Sequence, residues 1–415
     1  MNSRHRRLAT LSLAAILAAL AASPAVTQQS SAPIARYTID AGTTSGMAAM
    51  GASGGGIGGA LAMMRGGNQV AHELQLRLGS SRGPTGAPTA DHFLPAGVRL
   101  GDSVPLVTPR QVTPEPRTEG MPQGQMQMPQ GRLLLFWGCG EHAGPGQPVV
   151  IDFSRMARGQ VPPGLFAQAV NLPQDWSINT GNSRTFGEWP NERNSKQVPA
   201  NASLLGAHRV ASTYSPEIAF DLADDFMPPL NPAGRDMASG AVGLSWNALP
   251  KATGYYAWAM ATSPEGNSRD MVWWTSSSTQ QFGGPMSEWL SPAAVARLVQ
   301  AGTVMPPSQT TCTVPSEVRA AGGPIMMTYL YGYGPQADFA YPPRPASART
   351  PWNPEWIARV RFRSSSMVML GMPGMDGADA RGGRAEQGQT PAPSGKPKCG
   401  RGLRAIAERA AGLCE

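Results

Sequence analysis

The sequence predicts a mainly β protein, with two antiparallel β-sandwich-like domains set between disordered tails. Three observations point there. Glycine (49) and proline (40) together make up about a fifth of the 415 residues, well above ordinary usage. Only 15% of residues are charged, too few for the Glu- and Lys-dense helices of a bundle or coiled coil. Yet 41% are hydrophobic, enough for a core, and they fall in short runs separated by Gly, Pro, Asn and Ser.

The chain opens with Arg4, His5, Arg6 and Arg7, then an apolar stretch from Leu8 to Ala22, then Ser23, Pro24 and Ala25. A basic start, a short apolar middle and a small-residue end form a secretory signal peptide over 1–25. The apolar stretch is too short to span a bilayer comfortably. The net charge of +7 includes the three leader arginines, so the mature chain carries +4. Spread over nearly the whole length, that charge implies no nucleic-acid partner.

Residues 26–70 read as a Gly-rich flexible segment. Gly51, Gly55 and Gly59 recur every four positions, the spacing of a smooth helix ridge and of glycine-zipper segments in membrane-associated oligomers. Three consecutive glycines, Gly54 to Gly56, oppose a helix there, so a tether is the first expectation. Membrane contact, if any, is expected through this segment alone. Gly54, Gly56 and Gly59 also fit G-x-G-x-x-G, but no strand precedes them and no acidic residue follows at the required distance.

Residues 71–236 are expected to form a first β domain with little helix. Ala71 to Leu78 alternates apolar and polar residues with period two. Leu133 to Trp137 is a continuous apolar run fit for a central strand, and Val149 to Ile151 marks another. The stretch from Pro114 to Gln130, rich in Pro, Met and Gln, reads as a surface loop.

Residues 237–370 form the second expected domain. Leu244-Ser245-Trp246 leads through a turn to Gly254-Tyr255-Tyr256-Ala257-Trp258-Ala259-Met260, where alternation resumes. This pair of strands resembles strands B and C of a fibronectin type III-like domain, where a Trp packs beside a Tyr that follows a Gly turn. Met271 to Thr275, Thr310 to Val314, Ile325 to Tyr333 and Trp356 to Phe362 would supply the later strands. The sequence departs from that family by inserting a helix over 291–301. Ser291 serves as its N-cap, Pro292 as its first residue and Gly302 as its stop. The resemblance implies binding or spacing and carries no chemistry with it. Gly371 to Lys398 reads as a disordered linker. A short amphipathic helix over 399–415 is marked by Leu403, Ile406, Ala410 and Leu413. As a whole the chain resembles exported proteins of Gram-negative bacteria.

Four cysteines in an exported chain suggest disulfides. Cys399 and Cys414 bracket the short C-terminal helix and are the favoured pair, leaving Cys139 for Cys312. The sharpest reactive cluster is Gly138-Cys139-Gly140-Glu141-His142, a thiol near an imidazole and a carboxylate. A disulfide or buried thiol is the plainer reading. His72, His92, His142 and His208 are widely spaced, with no C-x-x-C or H-x-x-x-H, so neither a metal nor a cofactor is expected. Asp221, Asp224 and Asp225 form a carboxylate cluster that, with Glu188 or Glu217, would suit a glycoside or cell-wall hydrolase. A solvated strand end is the alternative.

Aromatic residues are the remaining candidates. Trp273 and Trp274 are adjacent on a strand and must point to opposite faces, so one can face solvent. Trp189 lies in the aromatic stretch Phe186 to Glu192, read as a functional loop or a core plug. The expectation is a non-catalytic protein of the periplasm or cell surface. It would bind an envelope protein or glycan through Trp189, Trp273, Trp274 and Asp224. A carbohydrate-active hydrolase and a glycine-zipper oligomer are the alternatives.

Overall fold

A computed structural model describes residues 31–52, 69–109, 131–156, 177–263, 270–282, 285–347 and 350–372. The expected signal peptide, the central glycines Gly54 to Gly59, the loop 114–130 and both Cys399 and Cys414 lie outside the described residues. So do the expected C-terminal helix and nearly all of the linker before it.

The described residues are mainly β. The first half carries β1 (Ala35–Gly46), β2 (Val70–Ser80), β3 (Ala90–Phe93), β4 (Ser103–Pro105), β5 (Arg132–Trp137), β6 (Val149–Asp152), β7 (Thr185–Trp189), β8 (Gly206–Ser212) and β9 (Ile218–Leu222). Then follow β10 (Ala233–Asp236), β11 (Val242–Ser245), β12 (Gly254–Thr262), β13 (Met271–Thr275), β14 (Thr311–Val314), β15 (Met326–Tyr341) and β16 (Trp356–Leu370). Helices are few and short: α1 (Met47–Ala52), α2 (Phe153–Met156), α3 (Pro292–Gln300) and α4 (Ser316–Gly322).

One nine-stranded sheet, in the order β6-β5-β13-β12-β15-β16-β1-β2-β7, spans the molecule. Two smaller sheets accompany it, β10-β11-β14 and β4-β3-β8-β9. All three contribute to a single apolar core. Alternation along each strand divides the large sheet into two faces. The inner face carries Tyr37, Ile39, Leu76, Tyr255, Ala257, Trp274 and Val360, all buried. Core residues of the small sheets include Val104, Val210 and Phe220 from one and Leu244, Cys312 and Val314 from the other. The large sheet draws strands from both expected domains, so the anticipated boundary near 236 passes through it.

Part of the expected tether is corrected. Ala35–Gly46 is an interior strand of the large sheet, parallel to β16 and antiparallel to β2. It lies inside the expected tether, yet its polar residues Thr38, Asp40, Thr43 and Ser45 are all buried. Three of them have partners inside: the Thr43 hydroxyl donates to the Met227 carbonyl at 2.6 Å, the Ser45 hydroxyl to the Leu230 carbonyl at 2.5 Å, and Asp40 accepts from Arg361. Buried polar groups with partners cost little, whereas an orphaned one carries its full desolvation penalty.

The inserted helix falls where its caps put it. The Ser291 side chain accepts from the Ala294 N–H at 3.3 Å, Pro292 is the first helical residue, and Gly302 has φ +71°. Its apolar stripe, Val295 and Leu298, packs on the outer face of the large sheet against Tyr256, Tyr331 and Tyr333. The Trp–Tyr contact anticipated between the second-domain strands is made by Tyr255. Its ring meets Trp246 edge-on at 5.5 Å, while Tyr256 is buried on the opposite face beneath α3.

Candidate binding surface

Where α3 ends its cover, the outer face of the large sheet is half-exposed and apolar. The register sets out two rows. One runs Thr275–Trp258–Tyr329–Met367, and the next runs Trp273–Met260–Met327–Met369. The rings stack in parallel across the strands. Trp258 lies 4.4 Å from Trp273 at 9° and 4.4 Å from Tyr329 at 12°, and Phe282 meets Trp273 edge-on at 5.3 Å. Trp258, Trp273, Tyr329 and the four methionines are each partly exposed. Trp258 has both ring faces occupied by its neighbours. At Trp258 the ladder therefore offers a ring edge outward rather than an open ring face, with thioethers beside it.

A cleft of about 620 Å³ lies at one end of the sheet, where the parallel strands β5 and β13 both terminate. Its walls come from the loop after β5, the turn after β13 and the segment after α3. Gly138, at φ +96°, lets the chain turn sharply out of β5. The Gly138 carbonyl accepts from the Trp274 indole N–H at 2.9 Å, which ties the loop to the core. Cys139 is bonded to Cys312 across 173 residues of sequence. That disulfide settles the reactive cluster: Cys139 and His142 line one cleft, but no thiol is available there as a nucleophile. His142 instead approaches Glu317 at 3.1 Å. The Glu317 carboxyl is held below its usual range chiefly by the Ala143 N–H, with a smaller effect of His142.

The remaining sequence candidates take separate places. Trp274 is fully buried on the inner face, and Trp189 is buried with its N–H donating to Asn194 Oδ1 at 3.2 Å. Neither presents a ring to solvent, because each fills the core side of its strand. Phe186 to Trp189 belongs to the edge strand β7 rather than to a loop. Trp273 alone of the three is part-exposed. Asp224 pairs with Lys251. Asp225 accepts from the Ser203 hydroxyl at 2.6 Å and from the Leu204 and Phe226 N–H groups at 2.8 Å each. Glu217 pairs with Arg209 at 3.2 Å. These carboxylates cap and bridge separate segments, and none of them lines the cleft beside Cys139.

Two histidines are joined inside the core. Tyr37 Oη lies 2.6 Å from His92 Nδ1, His92 Nε2 lies 3.0 Å from His208 Nδ1, and His208 Nε2 lies 2.7 Å from the Leu204 carbonyl. A carbonyl only accepts, so His208 donates from Nε2 and accepts at Nδ1; His92 then donates from Nε2 and accepts the Tyr37 proton at Nδ1. Burial pushes the pKa of both histidines down. Among the described residues no group of three or more His, Cys, Asp or Glu could hold a metal ion.

Sequence reasoning missed Trp137, which lines the cleft, because it ends an apolar run that read as core throughout. It also missed the ladder, which needs strands paired far apart in sequence. The alternation Tyr256, Trp258, Met260 was its one local signal. Comparison with protein-family models, with curated proteins and with solved structures finds no match.

Proposed function

We propose that this chain is an exported, non-catalytic protein of the cell envelope that docks a protein partner on the outer face of its large sheet. The ladder of Trp258, Trp273 and Tyr329, continued by Met260, Met327, Met367 and Met369, is the observation that carries the reading. Aromatic edges and methionines are enriched at protein interfaces, and thioethers adapt to apolar partners. A sugar would need a free ring face, which Trp258 does not have.

Export is supported by the basic, apolar and small-residue order of 1–25 and by the Cys139–Cys312 disulfide. A fibronectin type III-like second half is supported by strand order. The three strands β10-β11-β14 face the run β13-β12-β15-β16 within the large sheet, as a three-on-four sandwich requires.

The test has two arms. Expressed in a Gram-negative host, the chain should reach the periplasm with a new N-terminus near Val26; protein retained in the cytoplasm with its leader removes the export reading. A photo-crosslinking residue at position 327 should give one discrete adduct, absent when the same residue is placed at exposed position 205. No adduct at 327, or the same pattern from both positions, overturns docking on this face.

A further inference from the structure

The cleft beside the ladder has a different chemistry. Trp137 sits there half-buried, and it is the one described tryptophan with neither a stacked ring, a cation over its face nor a hydrogen bond from its indole. Every other described tryptophan has its ring or its N–H engaged, as in the Trp258–Trp273 stack, Trp189 on Asn194 and Arg363 over Trp289.

Two amides beside it are half-used, and their orientations are fixed. Gln147 Oε1 accepts from the Trp137 backbone N–H at 2.7 Å, so its NH₂ group is left over as a donor. Gln309 Nε2 donates to the Thr311 carbonyl at 3.0 Å, so its Oε1 is left over as an acceptor. The Ser278 hydroxyl donates to the Gly302 carbonyl at 2.9 Å and retains acceptor capacity. His142 is engaged only through Nδ1, by Glu317 and Ser316. No Asp, Glu, Lys or Arg lines the cleft, so it is not built for a phosphate, a carboxylate or a cation. Its volume of about 620 Å³ lies within the roughly 300–1,000 Å³ usual for ligand sites and exceeds the needs of a single sugar ring.

We infer that this cleft binds a neutral saccharide chain, with the Trp137 indole as the stacking platform and the Gln147 and Gln309 amides as a paired donor and acceptor for ring hydroxyls. A pyranose offers just this combination: a flat C–H face for the aromatic ring and hydroxyls that both give and take hydrogen bonds. The inference is independent of the protein-docking face, which uses other side chains.

Isothermal titration calorimetry with cellotriose, chitotriose and maltotriose on the intact mature protein tests it. At least one trisaccharide should bind, and Trp137→Ala should weaken that binding by about tenfold or more, the scale of a lost stacking contact. Trp137→Phe, which keeps a flat ring, should bind more tightly than Trp137→Ala, and Gln309→Ala should weaken binding with the ring intact. Tyr341→Ala, which removes an exposed ring on the β15–β16 hairpin, should bind like the wild type. No heat from any of the three at about 10 mM overturns the inference, as does binding that Trp137→Ala leaves unchanged. Either result leaves the crosslinking at position 327 untouched, so the two readings fail separately.

Discussion

Asp40 and Arg361 face each other across the parallel junction of β1 and β16, with Oδ1 2.7 Å from Nε and Oδ2 2.9 Å from Nη2, and both side chains buried. Arg77 adds a second cation to the same carboxylate at 3.2 Å, and the Trp289 carbonyl takes a further Arg361 proton at 2.6 Å. The pair locks the register of a strand whose own sequence is weakly apolar. A one-residue slip against β16 would part the buried Asp40 carboxylate from Arg361.

Removing the acid should therefore be severe. Asp40→Ala strands Arg361 inside the sheet, a loss on the order of 3–5 kcal/mol. Urea unfolding of the variant reads it. A stability within 1 kcal/mol of wild type, on the order of an exposed pair, would show the junction to be held by other contacts.

The histidine chain predicts a direction with pH. Both His92 and His208 have depressed folded pKa values, so above the unfolded value of about 6.5 both states are neutral and the full stability is present. As pH falls through about 6.5 the unfolded chain takes up protons that the folded core refuses, and stability drops. Two such groups give a limiting slope of roughly 2.7 kcal/mol per pH unit. His72, lowered by burial as well, steepens it, while the Leu204 carbonyl and, less strongly, Asp221 oppose the shift at His208. Thermal melts from pH 8 to pH 5 should show the fall, and His92→Gln should flatten it.

Reduction should loosen the link between the cleft loop and β14. The Cys139–Cys312 bridge closes a loop of 173 residues, for which chain entropy gives about 5 kcal/mol. Denaturation with and without dithiothreitol measures the difference, and peptide mapping under non-reducing conditions should recover the 139–312 pair.

The neighbouring tryptophans should separate cleanly. Trp274→Ala opens a cavity in the inner face and should cost roughly 3–5 kcal/mol. Trp273→Ala removes one ring from a half-exposed stack and should cost no more than about 1.5 kcal/mol. Equal losses would mean that the ladder is as enclosed as the core.

The sequence disclosed what depends on neighbours along the chain. Ser291, Pro292 and Gly302 delimited α3 because capping is local, and the alternation about Trp258 identified β12. Cys139 and Cys312 are only the remainder of the expected Cys399–Cys414 pair, and no local signal puts them within bonding range. Hidden were the features made by distant partners. Asp40 reads as a linker residue until Arg361 arrives from 321 positions away. The choice of Tyr255 over Tyr256 beside Trp246 depends on which face of β12 meets the small sheet, and adjacent tyrosines do not declare it. Trp137 was concealed by the leucines before it, since a run of apolar residues does not show where burial stops.

The β16 strand pairs with β15 on one side and with β1 on the other, so residues from the beginning of the chain complete the sheet built near its end. Excising the second half alone would thus strip β16 of its parallel partner. A fragment beginning at residue 237 would bare the whole β1-facing side of a fifteen-residue strand, an open template for self-association, and should precipitate unless residues 31–52 are supplied in trans.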